Sequence, residues 1–293
     1  MQPDTFPVTM DDDVELLVRH YPRPGATRLY ISHGNGFAID GYRVFWEPLL
    51  DDFDVVLFDM RNHGVNASTG ADGHHYQQMA QDLGTVHRKV EARLGPSKTV
   101  GVFHSMTSRA AMKNAVEIGS PYDALALYDP PSVPPRDHAL YEPMRGFELK
   151  LVQWATERPD RFASPDELEA SYAEARASAK WLPQARADMA RAVLKEDAGG
   201  GFRLSCAREL EASIYLAALT LDLWPSSESL GVPSKLIGAD PEGRGGPPTG
   251  PANHALAQEG GYDYHGVEGV GHLLQIETPD RCRELLVDFI STL

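Results

Sequence analysis

The sequence contains few cysteines. Cys206 and Cys282 are the only two in 293 residues, and they lie far apart. Neither belongs to a Cys-x-x-Cys pair, and neither has a histidine at metal-ligand spacing. We therefore expect both thiols to be inert packing residues, and we predict no metal site.

Basic residues are also scarce, with 27 Lys and Arg against 42 Asp and Glu, which gives a formal net charge of −15. Nucleic acids and anionic membranes bind clustered Lys and Arg, so this balance argues against both as partners. No apolar run is long enough to cross a bilayer. Residues 1–13 are acidic where a secretory signal would be basic and then apolar. We expect a cytoplasmic protein without a membrane span.

Short apolar runs typical of buried strands alternate with segments of helical periodicity through the first 131 residues. The predicted strands are 14–18, 28–31, 54–59, 99–103 and 124–128, and the predicted helices are 42–50, 79–94 and 108–118. This alternation predicts an α/β fold with a mostly parallel central sheet and helices on both faces. The pattern restarts at Ser234–Gly238, with a helix near 253–258 and a last strand at 262–265.

The segment between these two parts has a different pattern. From residue 132 to 231 it reads as several helices without a convincing strand, and prolines and a Gly199-Gly200-Gly201 run interrupt it. We predict that 1–131 and 232–293 form one α/β core and that 132–231 is an inserted helical lid.

Ser105 stands where an apolar strand changes to a helix, and this makes it the candidate nucleophile. A serine at such a corner is exposed above the sheet, and the following helix points its N-terminal amides at developing negative charge. Phe103-His104-Ser105-Met106-Thr107 resembles the nucleophile elbow of the α/β-hydrolase superfamily in its His-Ser-Met form. Members usually carry glycine two residues on either side of the nucleophile, where this chain has Phe103 and Thr107.

Two further motifs resemble the same superfamily. His33-Gly34-Asn35-Gly36-Phe37 follows a strand, as does the family's His-Gly oxyanion loop, and two glycines there let the backbone bend and expose its amides. The resemblance implies an oxyanion hole made by the backbone N–H groups of Asn35 and Met106. Gly266–His272 is a glycine-rich loop ahead of the last helix, and the resemblance implies that His272 is the general base.

The acid of the implied triad has more than one candidate. Asp240 follows the strand Ser234–Gly238 and gives the superfamily's order of serine, acid and histidine along the chain, so we rank it first. Asp129, after the strand 124–128, is the main alternative, and Glu242 is another. Serine at position 105 argues against relatives that use an aspartate nucleophile.

The resemblance implies a cofactor-independent serine hydrolase that cleaves a carboxylic ester, thioester or lactone through an acyl-enzyme. The expected substrate is small and apolar or uncharged. One alternative is a non-catalytic binding protein on a hydrolase scaffold, since Phe103 and Thr107 depart from the usual elbow. Another is a C–C hydrolase, isomerase or lyase that uses the same triad. The sequence bears on neither the oligomeric state nor the identity of the substrate.

Overall fold

A sheet of eight strands organises the protein, whose computed structural model describes residues 2–243 and 246–293. The strands of this sheet are β1 (Asp4–Thr9), β2 (Glu15–Tyr21), β3 (Arg28–Ser32), β4 (Asp54–Phe58), β5 (Thr99–His104), β6 (Ala124–Tyr128), β10 (Ser234–Gly238) and β11 (Asp263–Gly266). They lie in the order β1-β2-β4-β3-β5-β6-β10-β11.

Only one edge of the sheet is antiparallel. Strand β2 pairs antiparallel with both β1 and β4, and every pair from β4 to β11 is parallel. Parallel strands end at the same edge of a sheet, so the loops that follow β3, β5, β6 and β10 meet there. The predicted α/β fold with a mostly parallel sheet is confirmed.

Helices cover both faces of the sheet. The helices of the α/β part are α1 (Arg43–Trp46), α2 (Tyr76–Leu94), α3 (Met106–Glu117), α8 (Thr249–Gly260), α9 (Leu274–Glu277) and α10 (Pro279–Ser291). Apolar residues of α2, α3 and α8 pack on one face, and those of α1 and α10 pack on the other. Strands β3, β4, β5, β6 and β10 therefore present alternate side chains to two separate hydrophobic layers.

Two local predictions need correction. The predicted helix at 42–50 consists of 3₁₀ turns at Ile39–Tyr42 and Glu47–Asp51 around the single α-turn of α1. Pro48 has no N–H to continue an α-helix, which accounts for the break. Strand β1 was not predicted. It alternates buried Phe6 and Val8 with exposed Pro7, and proline is tolerated on this edge strand.

Residues 132–231 contain short strands as well as helices. The helices are α4 (Tyr141–Glu157), α5 (Pro165–Glu174), α6 (Pro183–Ala192) and α7 (Arg208–Ala218). Strands β7 (Arg161–Phe162), β8 (Leu194–Glu196) and β9 (Phe202–Leu204) form a small antiparallel sheet. The expectation that this segment has no strand was wrong, because strands of two or three residues are too short to show a periodic pattern.

Phe103 replaces the usual small residue before the elbow without disturbing the strand. Its ring is fully buried and packs edge-on against Tyr122, with ring centroids 5.3 Å apart. The ring also turns back over Gly101, where a β-carbon would overlap it. The absent side chain at Gly101 thus gives Phe103 the space it needs, on the sheet face that packs against α2 and α3.

We expect Gly101→Val to lower the free energy of unfolding by about 1–3 kcal/mol, because the added carbons overfill this space. Phe103→Ala should itself cost about 3–5 kcal/mol through the cavity it leaves. In that background Gly101→Val should cost much less, since the obstructing ring is gone. Urea unfolding of the four proteins measures this coupling. An equal effect of Gly101→Val in both backgrounds would contradict the packing described.

Candidate active site

Ser105 occupies a strained corner between β5 and α3. Its φ of 54° and ψ of −114° lie in a region that non-glycine residues rarely adopt. The Ser105 N–H donates to the carbonyl of Tyr128 on the neighbouring strand, and the Thr107 hydroxyl donates to the carbonyl of His104. These bonds hold the corner and leave the Ser105 hydroxyl pointing beyond the end of the sheet.

The Ser105 hydroxyl contacts the histidine predicted to be its base. Ser105 Oγ lies 2.9 Å from Nε2 of His272, and Nδ1 of His272 lies 2.6 Å from Oδ2 of Asp129. A carboxylate can only accept a hydrogen bond, so Nδ1 of His272 donates to Asp129 and Nε2 is left to accept the hydroxyl proton. The structure therefore joins a serine, a histidine and a carboxylate in the order that nucleophilic catalysis requires.

Hydrogen bonds to residues on and just after β10 and on α8 fix the position of Asp129. It is fully buried just after β6, and its N–H donates to the carbonyl of Ile237 on β10. Its second oxygen, Oδ1, accepts from the backbone N–H of Ala239 and the side-chain amide of Asn253, each at 2.8 Å. These bonds leave Oδ2 directed at His272. No pattern in the sequence pointed to Asn253.

Asp240, the acid ranked first from the sequence, bonds elsewhere. Its oxygens accept the backbone N–H groups of Glu242 at 2.9 Å and Gly269 at 2.8 Å, and its own N–H donates to the carbonyl of Val270. Asp240 thus braces the loop that carries His272. The carboxylate on the His272 ring is the alternative, Asp129, whereas both oxygens of Asp240 accept backbone N–H groups of the loops.

The His33–Phe37 loop lies directly against the elbow. A β-carbon on Gly34 would stand 2.9 Å from Nδ1 of His104 and 3.1 Å from Cβ of Ser105, so a larger residue at this position would require these neighbours to shift. The backbone N–H groups of Asn35 and Met106, the first residue of α3, donate no hydrogen bond within the described part of the chain. Two amides on either side of the serine are what an oxyanion would need.

The sequence matches the profile of the alpha/beta hydrolase family over residues 29–285. The chain belongs to this family. Membership of this family implies hydrolase activity. The strand order and the strained corner at Ser105 agree with this membership.

Solved structures of other hydrolases have the same fold. E-2-(acetamidomethylene)succinate hydrolase is 17% identical, with a TM-score of 0.81, and the match covers 99% of this chain and 100% of that one. The enol-lactonase of Burkholderia xenovorans LB400 is 16% identical, with a TM-score of 0.70 and coverage of 98% and 100%. A thermophilic esterase of Thermogutta terrifontis is 17% identical, with a TM-score of 0.67 and coverage of 100% and 99%. Such low identities show the fold alone. Among curated proteins no sequence matched.

Two neutral histidines brace the His33–Phe37 loop of this hydrolase. Nε2 of His33 accepts the N–H of Met60, and Nε2 of His63 accepts the N–H of Gly36, both at 3.1 Å. Burial lowers the pKa of His33 to about 4 and that of His63 to about 3. Both rings therefore stay uncharged at neutral pH and act as acceptors.

Residues 132–231 also contact the His33–Phe37 loop. The Asn35 side-chain amide donates to the carbonyl of Glu211 on α7 at 2.8 Å, and the Glu211 carboxyl group occupies the space where a β-carbon on Gly36 would stand. Trp181 packs edge-on against Phe37, with ring centroids 5.8 Å apart. Under this cover Ser105 is 6% exposed.

The described residues, 2–243 and 246–293, contain no cluster of three His, Cys, Asp or Glu side chains arranged to hold a metal ion. Over the same two ranges, no helix is both long and apolar enough to cross a membrane.

Glu148 on α4 is a buried acid that does not belong to the Ser105–His272–Asp129 arrangement. It is fully buried near Arg109, and neither of its carboxyl oxygens has a hydrogen-bond partner among the described residues. Burial raises its pKa to about 8, and the positive charge of Arg109 opposes that rise only in part. Glu148 is therefore mostly protonated at neutral pH, which avoids burying an unpaired charge.

The triad acid can be tested by comparing two isosteric variants. Asp129→Asn presents an amide N–H to His272 and favours the wrong tautomer, so labelling of Ser105 by a fluorophosphonate should slow by about 10⁴-fold. Asp240→Asn should slow it by about tenfold or less, since the described hydrogen bonds of the Asp240 carboxylate go to backbone N–H groups of loops and not to the His272 ring. Circular dichroism verifies that both variants fold. A larger loss in Asp240→Asn would reverse the assignment.

Glu148 should make stability depend on pH. Between pH 4.5 and about 8 the unfolded chain releases this proton and the folded chain keeps it. The contribution to stability is therefore complete below pH 4.5 and is lost as pH rises through 8, by about 1.4 kcal/mol per unit. In urea unfolding at pH 5, 6.5 and 8, the free energy of unfolding of Glu148→Gln should rise relative to that of the wild type as the pH increases. Exposed Glu142→Gln, on the same helix, is the control. A pH-independent difference would refute the assignment.

Proposed function

We propose that this hydrolase is a cofactor-independent serine hydrolase that cleaves carboxylic esters, thioesters or lactones through an acyl-enzyme. The observation that carries the proposal is the continuous hydrogen-bonded arrangement of Ser105, His272 and Asp129 at a strained elbow. Ser105, His272 and Asp129 are the proposed catalytic residues, and the N–H groups of Asn35 and Met106 are the proposed oxyanion hole.

In the first half of the reaction, Nε2 of His272 takes the proton of Ser105 as Oγ attacks the substrate carbonyl carbon. The carbonyl oxygen becomes an oxyanion and accepts the N–H groups of Asn35 and Met106. The protonated His272 then gives its proton to the departing alkoxide or thiolate. This step breaks the bond to the leaving group and leaves the acyl group on Ser105.

In the second half, a water molecule replaces the leaving group. His272 takes one proton from the water as its oxygen attacks the acyl carbon, and a second oxyanion forms in the same hole. Collapse of that intermediate returns the proton to Ser105 Oγ and releases the carboxylic acid. Throughout, Asp129 accepts from Nδ1 and stabilises the imidazolium form of His272.

We further propose that residues 132–231 act as a lid over an uncharged small-molecule substrate. The contacts of Trp181 and Glu211 with the oxyanion loop support this role. Burial raises the pKa of the Glu211 carboxyl group beside Gly36, and a carboxyl group in either protonation state offers an anionic substrate no positive partner there. The binding-only alternative is disfavoured, because Phe103 and Thr107 are accommodated while the serine hydroxyl stays 2.9 Å from the base. Product masses distinguish ester hydrolysis from C–C hydrolysis, isomerisation and lyase chemistry.

Ser105→Ala should abolish both fluorophosphonate labelling and turnover of p-nitrophenyl esters, leaving at most the about 10³–10⁴-fold acceleration over water that binding and the oxyanion hole supply. The wild type should prefer p-nitrophenyl butyrate to the monoanionic p-nitrophenyl succinate. Faster turnover of the succinate would refute an uncharged substrate but not the mechanism. Full turnover by Ser105→Ala would contradict the mechanism itself.

A further inference from the structure

A chain of three hydrogen bonds runs behind the triad and joins the oxyanion loop to the base. The N–H of Gly34 lies 3.3 Å from the hydroxyl of Tyr42, and that hydroxyl lies 2.7 Å from Nδ1 of His104. Nε2 of His104 lies 2.9 Å from the carbonyl oxygen of His272. Tyr42 and His104 are both buried, at 1% and 0% exposure, so bulk solvent does not compete for these bonds.

The direction of each bond follows from the chemistry of its ends. The carbonyl of His272 can only accept, so Nε2 of His104 carries a proton. Burial, together with the neighbouring His272, lowers the pKa of His104 well below its usual value, so the ring has one proton only. Nδ1 of His104 therefore accepts from the Tyr42 hydroxyl, and the Tyr42 oxygen accepts from Gly34. All three donors point the same way, toward the base.

The two ends of this chain are parts of the proposed machinery. Gly34 immediately precedes Asn35, whose N–H is a proposed oxyanion donor, and His272 is the proposed base. Between them, His104 precedes the nucleophile and lies over the His272 ring, with ring centroids 4.8 Å apart. In the part of the loop that precedes His272, the N–H groups of Gly269 and Gly271 donate to the carboxylates of Asp240 and Glu277. The bond from His104 reaches the main chain of His272 itself.

We propose that Tyr42 and His104 are positioning residues that fix the base relative to the oxyanion loop through this hydrogen-bonded chain. The inference rests on the proposed serine-hydrolase function. Neither residue touches the reacting atoms. Loss of either link lets the His272 main chain shift against Asn35, and a small misplacement of reacting groups slows the chemical step more than it weakens substrate binding.

Tyr42→Phe removes one link and keeps the ring. On p-nitrophenyl butyrate we expect kcat to fall about tenfold, the effect of one good hydrogen bond, with KM changed by less than about twofold. Tyr122→Phe is the matched control, because Tyr122 is also buried and donates to a backbone carbonyl, that of Leu83, on the opposite face of the sheet. It should lose comparable stability and keep its kcat.

Variants of His104 test whether the hydrogen bonds of this chain act as one unit. His104→Gln keeps an N–H donor and an acceptor and should retain more activity than His104→Phe, which has neither. Adding Tyr42→Phe to His104→Phe should cause little further loss in kcat, since the chain is already broken. If the two losses multiply instead, or if Tyr42→Phe behaves like Tyr122→Phe, the proposal is wrong.

A second measurement does not need turnover. With ¹⁵N-labelled histidine, NMR of the wild type should show His104 protonated at Nε2 only, and Tyr42→Phe should shift both the His104 Nδ1 signal and the Nδ1 proton between His272 and Asp129. A proton on Nδ1 of His104, or an unmoved His272 signal, would overturn the positioning role. A wild type that neither reacts with the fluorophosphonate nor hydrolyses any ester would contradict the proposed function. The NMR result would still show whether Tyr42 and His104 are coupled to His272.

Discussion

The hydrogen bond between His272 and Asp129 links residues 143 positions apart in the chain, and the arrangement of the site depends on it. It can form because the loops after β6 and β11, which carry Asp129 and His272, begin at the same edge of the sheet with only β10 between them. Asp129 has a positive φ of 39°, a conformation that its backbone bond to Ile237 and the donors Ala239 and Asn253 hold in place. A carboxylate held in this way can fix the tautomer of the base and balance the charge that develops on it.

The surroundings of the base are polar but carry little positive charge. His33, His63 and His104 are buried, and burial lowers the pKa of each, so they stay neutral near pH 7. A protonated ring beside His272 would lower the affinity of the base for the proton of Ser105. Neutral imidazoles instead offer one donor and one acceptor each, and these bind the backbone of the oxyanion loop and of His272 without adding charge.

Much of the architecture was predictable because buried parallel strands and amphipathic helices leave strong local patterns. The order of strands and helices, the elbow at Ser105 and the loops at Asn35 and His272 follow from such patterns and from the resemblance they support. The features that were missed are short or lie at an edge. Strand β1 is an edge strand with a proline, and β7, β8 and β9 have only two or three residues. Such segments acquire their conformation from the partners they pair with.

The sequence by itself determined the fold class and predicted a candidate nucleophile and a candidate base, since each of these depends on a contiguous stretch of residues. It did not determine which carboxylate meets the base. Asp129 and Asp240 both follow parallel strands, and their order along the chain is compatible with either role. Only the tertiary structure separated them, because the distance from a carboxylate to His272 depends on how the loops after β6 and β10 pack across the sheet edge. For the same reason Asn253, Tyr42 and the bond from His104 to His272 could be found only once distant segments had been brought together.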